Sequence, residues 1–263
     1  MKKLRWGLVR QQMSVQLLVR TLNFYSLSLL VLQPFFFSAV GMLLSRAAGN
    51  AVPDLVYSVI GGGVMGMWSG IVFTSTYDIV NDRYNGTLEM MIGSPTKLAT
   101  LQGIRTLTNV LAGLFALILA FIAAAAIFGF SFNEANIPGA IISLLLLLFA
   151  FWCSGVFLAN FLVWSRVSGT FVEYLEMPIA ILCGFMYPLR VLPDWMRAMA
   201  DFIPMRWALE AMNESLLGMR DPAWLGRHWT FAIGLSLATM LVTAFLQEKV
   251  QDKLRVNGEL TEI

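Results

Sequence analysis

Residues 77–107 read YDIVNDRYNGTLEMMIGSPTKLATLQGIRTL, and the reading of this stretch decides the fold. Asp78, Asp82, Arg83, Glu89, Lys97 and Arg105 crowd into it, whereas the flanking runs, 55–77 and 106–132, hold no charged residue. A bilayer core about 30 Å thick is crossed by roughly 20 apolar residues at 1.5 Å each. Both flanking runs meet that length, so the chain leaves an apolar phase, makes a short charged elbow and returns.

Working outward, 137–164 is equally free of charge, and 228–247 carries only His228. The run 24–44 includes Gln33-Pro34, which a membrane helix tolerates where neighbours satisfy the freed carbonyl. The run 167–189 carries Glu173 and Glu176 in its first half. The prediction is an all-α integral membrane protein, one domain over 1–263 with six transmembrane helices. Composition agrees: 58% hydrophobic, 13% charged and a mean hydropathy of +0.71, against about 25% charged in soluble domains. A net charge of +2 is too small for a nucleic-acid footprint.

Cys153 and Cys183 both fall in apolar runs and read as small buried hydrophobes, with neither a disulfide framework nor a metal spacing. His228, beside Trp229, reads as an interfacial side chain. GGGVMGMWSG, 61–70, lacks the Gly-Lys-Ser/Thr of a phosphate loop and lies in an apolar run. No cofactor or metal is expected on this chain.

Lys and Arg set the orientation. With an even number of spans, twelve of the 18 basic residues fall on the side of the termini and of the elbow, among them Lys2, Lys3, Arg5, Arg83, Lys97 and Arg105. The other side holds Arg46, Arg190, Arg197, Arg206, Arg220 and Arg227, five of them in one loop beside Asp194, Asp201, Glu210, Glu214 and Asp221. Both termini are therefore expected in the cytoplasm of a multi-pass plasma- or inner-membrane protein, with 248–263 a cytoplasmic tail. No A-x-A-like cleavage site closes a short apolar core near the start. Residues 1–22 read as a helix in the cytoplasmic interface, or as a solvated basic tail.

Within the elbow, 78–105, Asn85-Gly86 is a turn signal and Ser94-Pro95 a stop. Thr87 to Ile92 make a short amphipathic helix whose Leu88, Met90, Met91 and Ile92 need cover. Either the helix lies on the membrane surface or it docks into a cytoplasmic partner.

DIVNDRYNGTLEMMIGSP closely resembles the first cytoplasmic loop of ABC type-2 exporter permeases, of the drug-resistance and nodulation-factor type. A second similarity covers 173–218: Glu176 and Pro178, Gly184, Pro188, Leu192-Pro193, Trp195, Pro204 and a closing Leu-Leu-Gly. The resemblance implies a coupling helix between spans 2 and 3, seated in a separate ATP-binding subunit present in two copies. Gly86, Thr87, Leu88, Glu89, Met90 and Met91 would form that contact, with Glu89 transmitting the movement. It also implies a second permease, the same or a related chain. Where many relatives carry an Arg before the closing Gly, this chain has Asn213 and Glu214.

The loop 190–227 is too charged to cross and too apolar to float. Trp195, Met196, Met199, Phe202 and Ile203 recur at helical spacing, as do Leu209, Met212 and Leu216, with Pro204 between. By the resemblance these are re-entrant outer helices, with Trp195, Trp207 and Trp224 near headgroups. They serve either as a packed cover or as an outer gate built on Pro188, Pro193, Trp195 and Pro204.

Gly62, Gly66 and Gly70 form a small-xxx-small ridge for helix packing. Met65, Trp68, Phe73, Met177, Phe185 and Met186 suit a tolerant apolar substrate path or a helix core. Glu173 and Glu176 face water, pair with Arg166, or relay protons.

The reading is a non-enzymatic permease subunit of an ATP-driven exporter of an amphipathic or lipid-like substrate. Alternatives are a polysaccharide or lipid-linked glycan permease, an ion-coupled secondary transporter lacking its expected inverted repeat, or a membrane anchor for a cytoplasmic enzyme.

Overall fold

The computed structural model describes residues 32, 35–40, 43, 52–86, 98–128, 135–165 and 174–257. Every regular element among them is helical, with no strand. The long helices are α1 (Val52–Tyr84), α2 (Leu98–Phe128), α3 (Ile137–Ser165) and, last in the chain, α7 (Pro222–Asn257). Between α3 and α7 come the short α4 (Glu176–Leu182), α5 (Asp194–Ala200) and α6 (Pro204–Leu216), with a 3-10 turn at Leu189–Val191.

Three of these helices contain stretches long and apolar enough to cross a membrane: Thr100–Leu119, Ile137–Leu162 and Pro222–Gln247. The apolar part of α1, Tyr57–Phe73, is shorter. The expected first span, 24–44, falls mostly outside the described residues, as do the N-terminal segment 1–22 and elbow residues 87–97.

Local chemistry explains the starts. Asn136 Oδ1 accepts from Gly139 N at 3.2 Å ahead of Pro138 in α3, and Asp221 Oδ1 accepts from Ala223 N at 3.0 Å ahead of Pro222 in α7. A capping side chain followed by proline in the first turn suits a helix N-terminus, where orphan N–H groups need an acceptor. α1 ends where Gly86 takes φ 66°, a left-handed conformation that glycine adopts without penalty.

At the expected elbow 78–105, whose residues 87–97 lie outside the described ones, α1 runs to Tyr84 and α2 starts at Leu98. One boundary differs from the sequence reading. The expected span 167–189, described from 174 onward, stops at Leu182. Phe185 N donates to Ala180 O at 3.2 Å and Gly184 N to Ile181 O at 3.1 Å, while Gly184 sits at φ 64°. These paired bonds and the left-handed glycine form a Schellman stop. Pro188 and the 3-10 turn then carry the chain away.

α1 packs along α2, and α3 lies against α1, α2, α6 and α7. In lipid no hydrophobic force drives helices together, so close backbone approach and interhelical hydrogen bonds matter more. Trp152 Nε1 donates to Gly103 O at 2.9 Å between α3 and α2, and Trp229 Nε1 to Ser143 Oγ at 2.9 Å between α7 and α3. On the outward face of α2, Leu107, Leu111, Phe115, Ile118 and Ile122 are exposed at helical spacing. Such a stripe suits a bilayer and not water.

Candidate functional site

Halfway along α1, Trp68 Nε1 donates to the backbone oxygen of Glu176 at 3.2 Å, and the neighbouring Ser69 hydroxyl donates to the Glu176 carboxylate. Glu176 is only 6% exposed. This buried acid opens α4 and joins it to α1 through two successive residues. Trp68 also packs on Phe151 of α3, with ring centroids 5.9 Å apart, and Phe151 meets Phe185 edge-on at 6.1 Å.

Beside this junction lies a cavity of about 350 Å³. Its walls are Trp68, then Ser154, Phe157 and Leu158 of α3, Ile179 of α4, Phe202 to Met205 at the α5–α6 turn, and Leu235, Ala238, Thr239 and Val242 of α7. Polar capacity in the wall is largely engaged elsewhere. Thr239 Oγ1 donates to Leu235 O at 2.8 Å, and the Trp68 N–H goes to Glu176. The wall therefore offers mainly apolar contact.

α6 rises from this cavity to one end of the bundle. Its far end is fixed by Asn136, whose N donates to Ser215 O at 2.8 Å and whose Nδ2 donates to Met219 O at 2.9 Å. There Tyr57, near the start of α1, donates its hydroxyl to Glu214 at 3.0 Å. The helix thus spans about 20 Å at 1.5 Å per residue, with Pro204 level with the middle of α1. Arg206 pairs with Asp201 at 3.0 Å and Glu210 at 3.4 Å, and lies 3.9 Å over the Trp207 ring. Glu210 faces His228 Nε2 at 3.5 Å, and the His228 ring stacks on Trp224 at 3.7 Å. Trp207 stacks on Phe231 of α7 at 4.5 Å. Arg197 pairs with Asp194 on α5.

Residues 8–217 match the model of the family described as ABC-2 type transporter. The chain belongs to that family. It is accordingly the membrane domain of an ABC-2 permease, a transport subunit that partners with an ATP-binding subunit, and its apolar helices agree with a place in a membrane. Among curated proteins no sequence matches it.

In this ABC-2 permease the residues singled out from sequence are spread over several environments. Trp68 and Phe185 share one aromatic cluster through Phe151, and Met65 is buried in the same core. Phe73 is half-buried, Met186 packs against the core, and Met177 is exposed. Pro204 and Trp68 both line the cavity. Pro188 precedes the 3-10 turn, Pro193 precedes α5, and Trp195 is exposed on α5.

Of the glycine ridge, Gly62 approaches Ser38, whose hydroxyl donates to Val59 O at 3.3 Å. Gly66 is buried, and a Cβ on Gly70 would meet nothing within 4 Å. Gly61, not singled out, faces the Phe185 backbone.

Thr87, Leu88, Glu89, Met90 and Met91 lie outside the described residues, as do Glu173 and Arg166. Glu176 is buried against α1 and does not face water. Where many relatives carry Arg, Asn213 is buried within α6 and Glu214 receives Tyr57. His228 is buried as well, between α6 and α7. The remaining cavity walls, Phe157, Leu158, Leu235, Ala238 and Val242, come from featureless apolar runs that carry no local signal.

Proposed function

We propose that this permease moves an amphipathic or lipid-like molecule outward, out of the cytoplasm or inner leaflet, as one of a pair of permeases driven by two ATP-binding subunits. The observation that carries the reading is the apolar cavity at the level of Trp68 and Pro204, in a chain of the ABC-2 family. A wall of Phe157, Leu158, Ile179 and Leu235 offers hydrocarbon contact to a greasy cargo and few hydrogen bonds to a sugar chain. In this arrangement six spans cross the plasma or inner membrane with both termini in the cytoplasm. α5 and α6 form a re-entrant outer hairpin, with Pro188, Pro193, Trp195 and Pro204 at its gate. The segment 86–91 docks into the ATP-binding subunit as the coupling helix, and ATP and Mg are held there.

The test is co-purification with the ATP-binding subunit, reconstitution in phosphatidylethanolamine–phosphatidylglycerol vesicles, and ATPase assay with tetraphenylphosphonium, a short-chain phospholipid or dextran. Stimulation by the first two is expected, and Glu89→Ala should abolish it while leaving membrane insertion intact. Stimulation by dextran alone would move the reading to glycan export. Failure to retain any ATP-hydrolysing subunit would overturn it.

A further inference from the structure

The described chain approaches the elbow on two stems, and an ion pair joins them. Asp82 lies one helical turn before Gly86 ends α1, and Arg105 lies two turns into α2. Their side chains pair at 16% and 20% exposure respectively. Deeper between the helices the core is mostly apolar, with Val64, Met67 and Ile71 of α1 and Val110 and Leu117 of α2, although Gln102, Thr106 and Asn109 of α2 are buried as well.

Apolar contact is non-directional, so register across it rests on side-chain interdigitation alone. An Arg–carboxylate contact has one geometry. Largely out of water, the pair is screened weakly by salt. Buried ion pairs contribute little net stability against a well-packed apolar pair, and their best-attested use is to fix register. Breaking one is a different matter, because it leaves the surviving charge buried and uncompensated. A charge pair at the base of the elbow, where apolar packing would hold the helices at least as tightly, is suited to fixing register.

We propose that Asp82 and Arg105 are positioning residues: their ion pair clamps the stems of the elbow into one rigid body, so that a push delivered there moves α1 and α2 together. The clamp is a property of this chain. Its use in coupling rests on the proposed function above.

Spin labels at Asn85→Cys and Thr100→Cys report the separation of the stems. Both positions are exposed, while the native Cys153 and Cys183 are buried and can be replaced. In the permease alone, in phosphatidylethanolamine–phosphatidylglycerol vesicles, the distance distribution is expected to be narrow. It should broaden with Asp82→Asn or Arg105→Gln and stay narrow with Asp82→Glu. Equal widths for Asp82→Asn and the unaltered pair would overturn the clamp.

With the ATP-binding subunit bound, ATP and vanadate should shift the stems without widening the distribution. Asp82→Asn should retain the subunit and its basal ATPase, yet lose stimulation by tetraphenylphosphonium. Stimulation unchanged in Asp82→Asn would overturn the coupling role. If no ATP-binding subunit binds the unaltered permease, the proposed function falls, and the widths measured on the permease alone still decide the clamp.

Discussion

Gly61→Ala and Gly70→Ala place the same methyl group on one helix in opposite circumstances. A Cβ at position 61 would lie 2.1 Å from Phe185 O, 2.7 Å from Phe185 C and 2.8 Å from Met186 Cα. All three are backbone atoms, so no side chain can rotate away. Ordinary van der Waals contact begins at 3.4 Å, so α1 and the chain after α4 must part by more than an ångström. That separation loosens Phe185, which is 1% exposed and holds Phe151 and, through it, Trp68. Overpacking of this kind costs about 1–3 kcal/mol. At position 70 a Cβ meets nothing within 4 Å, so only the propensity gain of about 0.5–1 kcal/mol for replacing a helical glycine remains. The variants should differ by about 2–4 kcal/mol, which at roughly 2–4 °C per kcal/mol separates their melting temperatures by about 5–15 °C. Thermal unfolding of the detergent-solubilised permease, followed by tryptophan fluorescence and size exclusion, measures this. If the two melt together, or Gly61→Ala is the more stable, the close approach of α1 to Phe185 is refuted.

Three further outcomes can be checked with the same protein. Tyr57→Phe should lower stability by about 1–2 kcal/mol through loss of a hydrogen bond to a carboxylate, and a double-mutant cycle with Glu214→Gln should show the losses overlapping and not adding. Ser69→Ala removes a donor from the buried Glu176 carboxylate and should cost about 1–3 kcal/mol, read as a lower melting temperature, whereas Ser69→Thr should keep most of it. Ala238→Trp should occupy the cavity beside Trp68: stability near that of the parent with loss of tetraphenylphosphonium-stimulated ATPase is expected, and full stimulation would show that the cavity takes no cargo.

The parts of the fold visible in sequence are those governed by one-dimensional chemistry. The charge-free runs 106–132, as far as residue 128, and 137–164 fall on α2 and α3, and Pro204 opens α6 after α5. The pairing of Asp82 with Arg105 is not legible in sequence, because charges near an elbow read as solvated until a partner helix is known. Gly184 stops α4 by adopting φ 64°, yet a lone glycine in an apolar run is a weak signal. Burial of Glu176 depends on Ser69, 107 residues away. The cavity was least legible, since periodicity separates apolar from polar faces and cannot tell a residue facing lipid from one facing a void.

Polar side chains in apolar helices are costly unless paired, so their placement on α1 carries information. Tyr57 holds Glu214 of α6, Trp68 and Ser69 hold Glu176 at α4, and Asp82 holds Arg105 of α2. At 1.5 Å per residue these levels lie about 18 Å and about 20 Å apart along one helix. Each contact reaches a different element, so no two of them can be exchanged for each other by rotating α1. Sliding the helix by a single residue's rise, about 1.5 Å, would distort the geometry of all three contacts at once. α1 is therefore tied to α2, α4 and α6 at three separate levels, so a shift of α1 alone disturbs all three contacts.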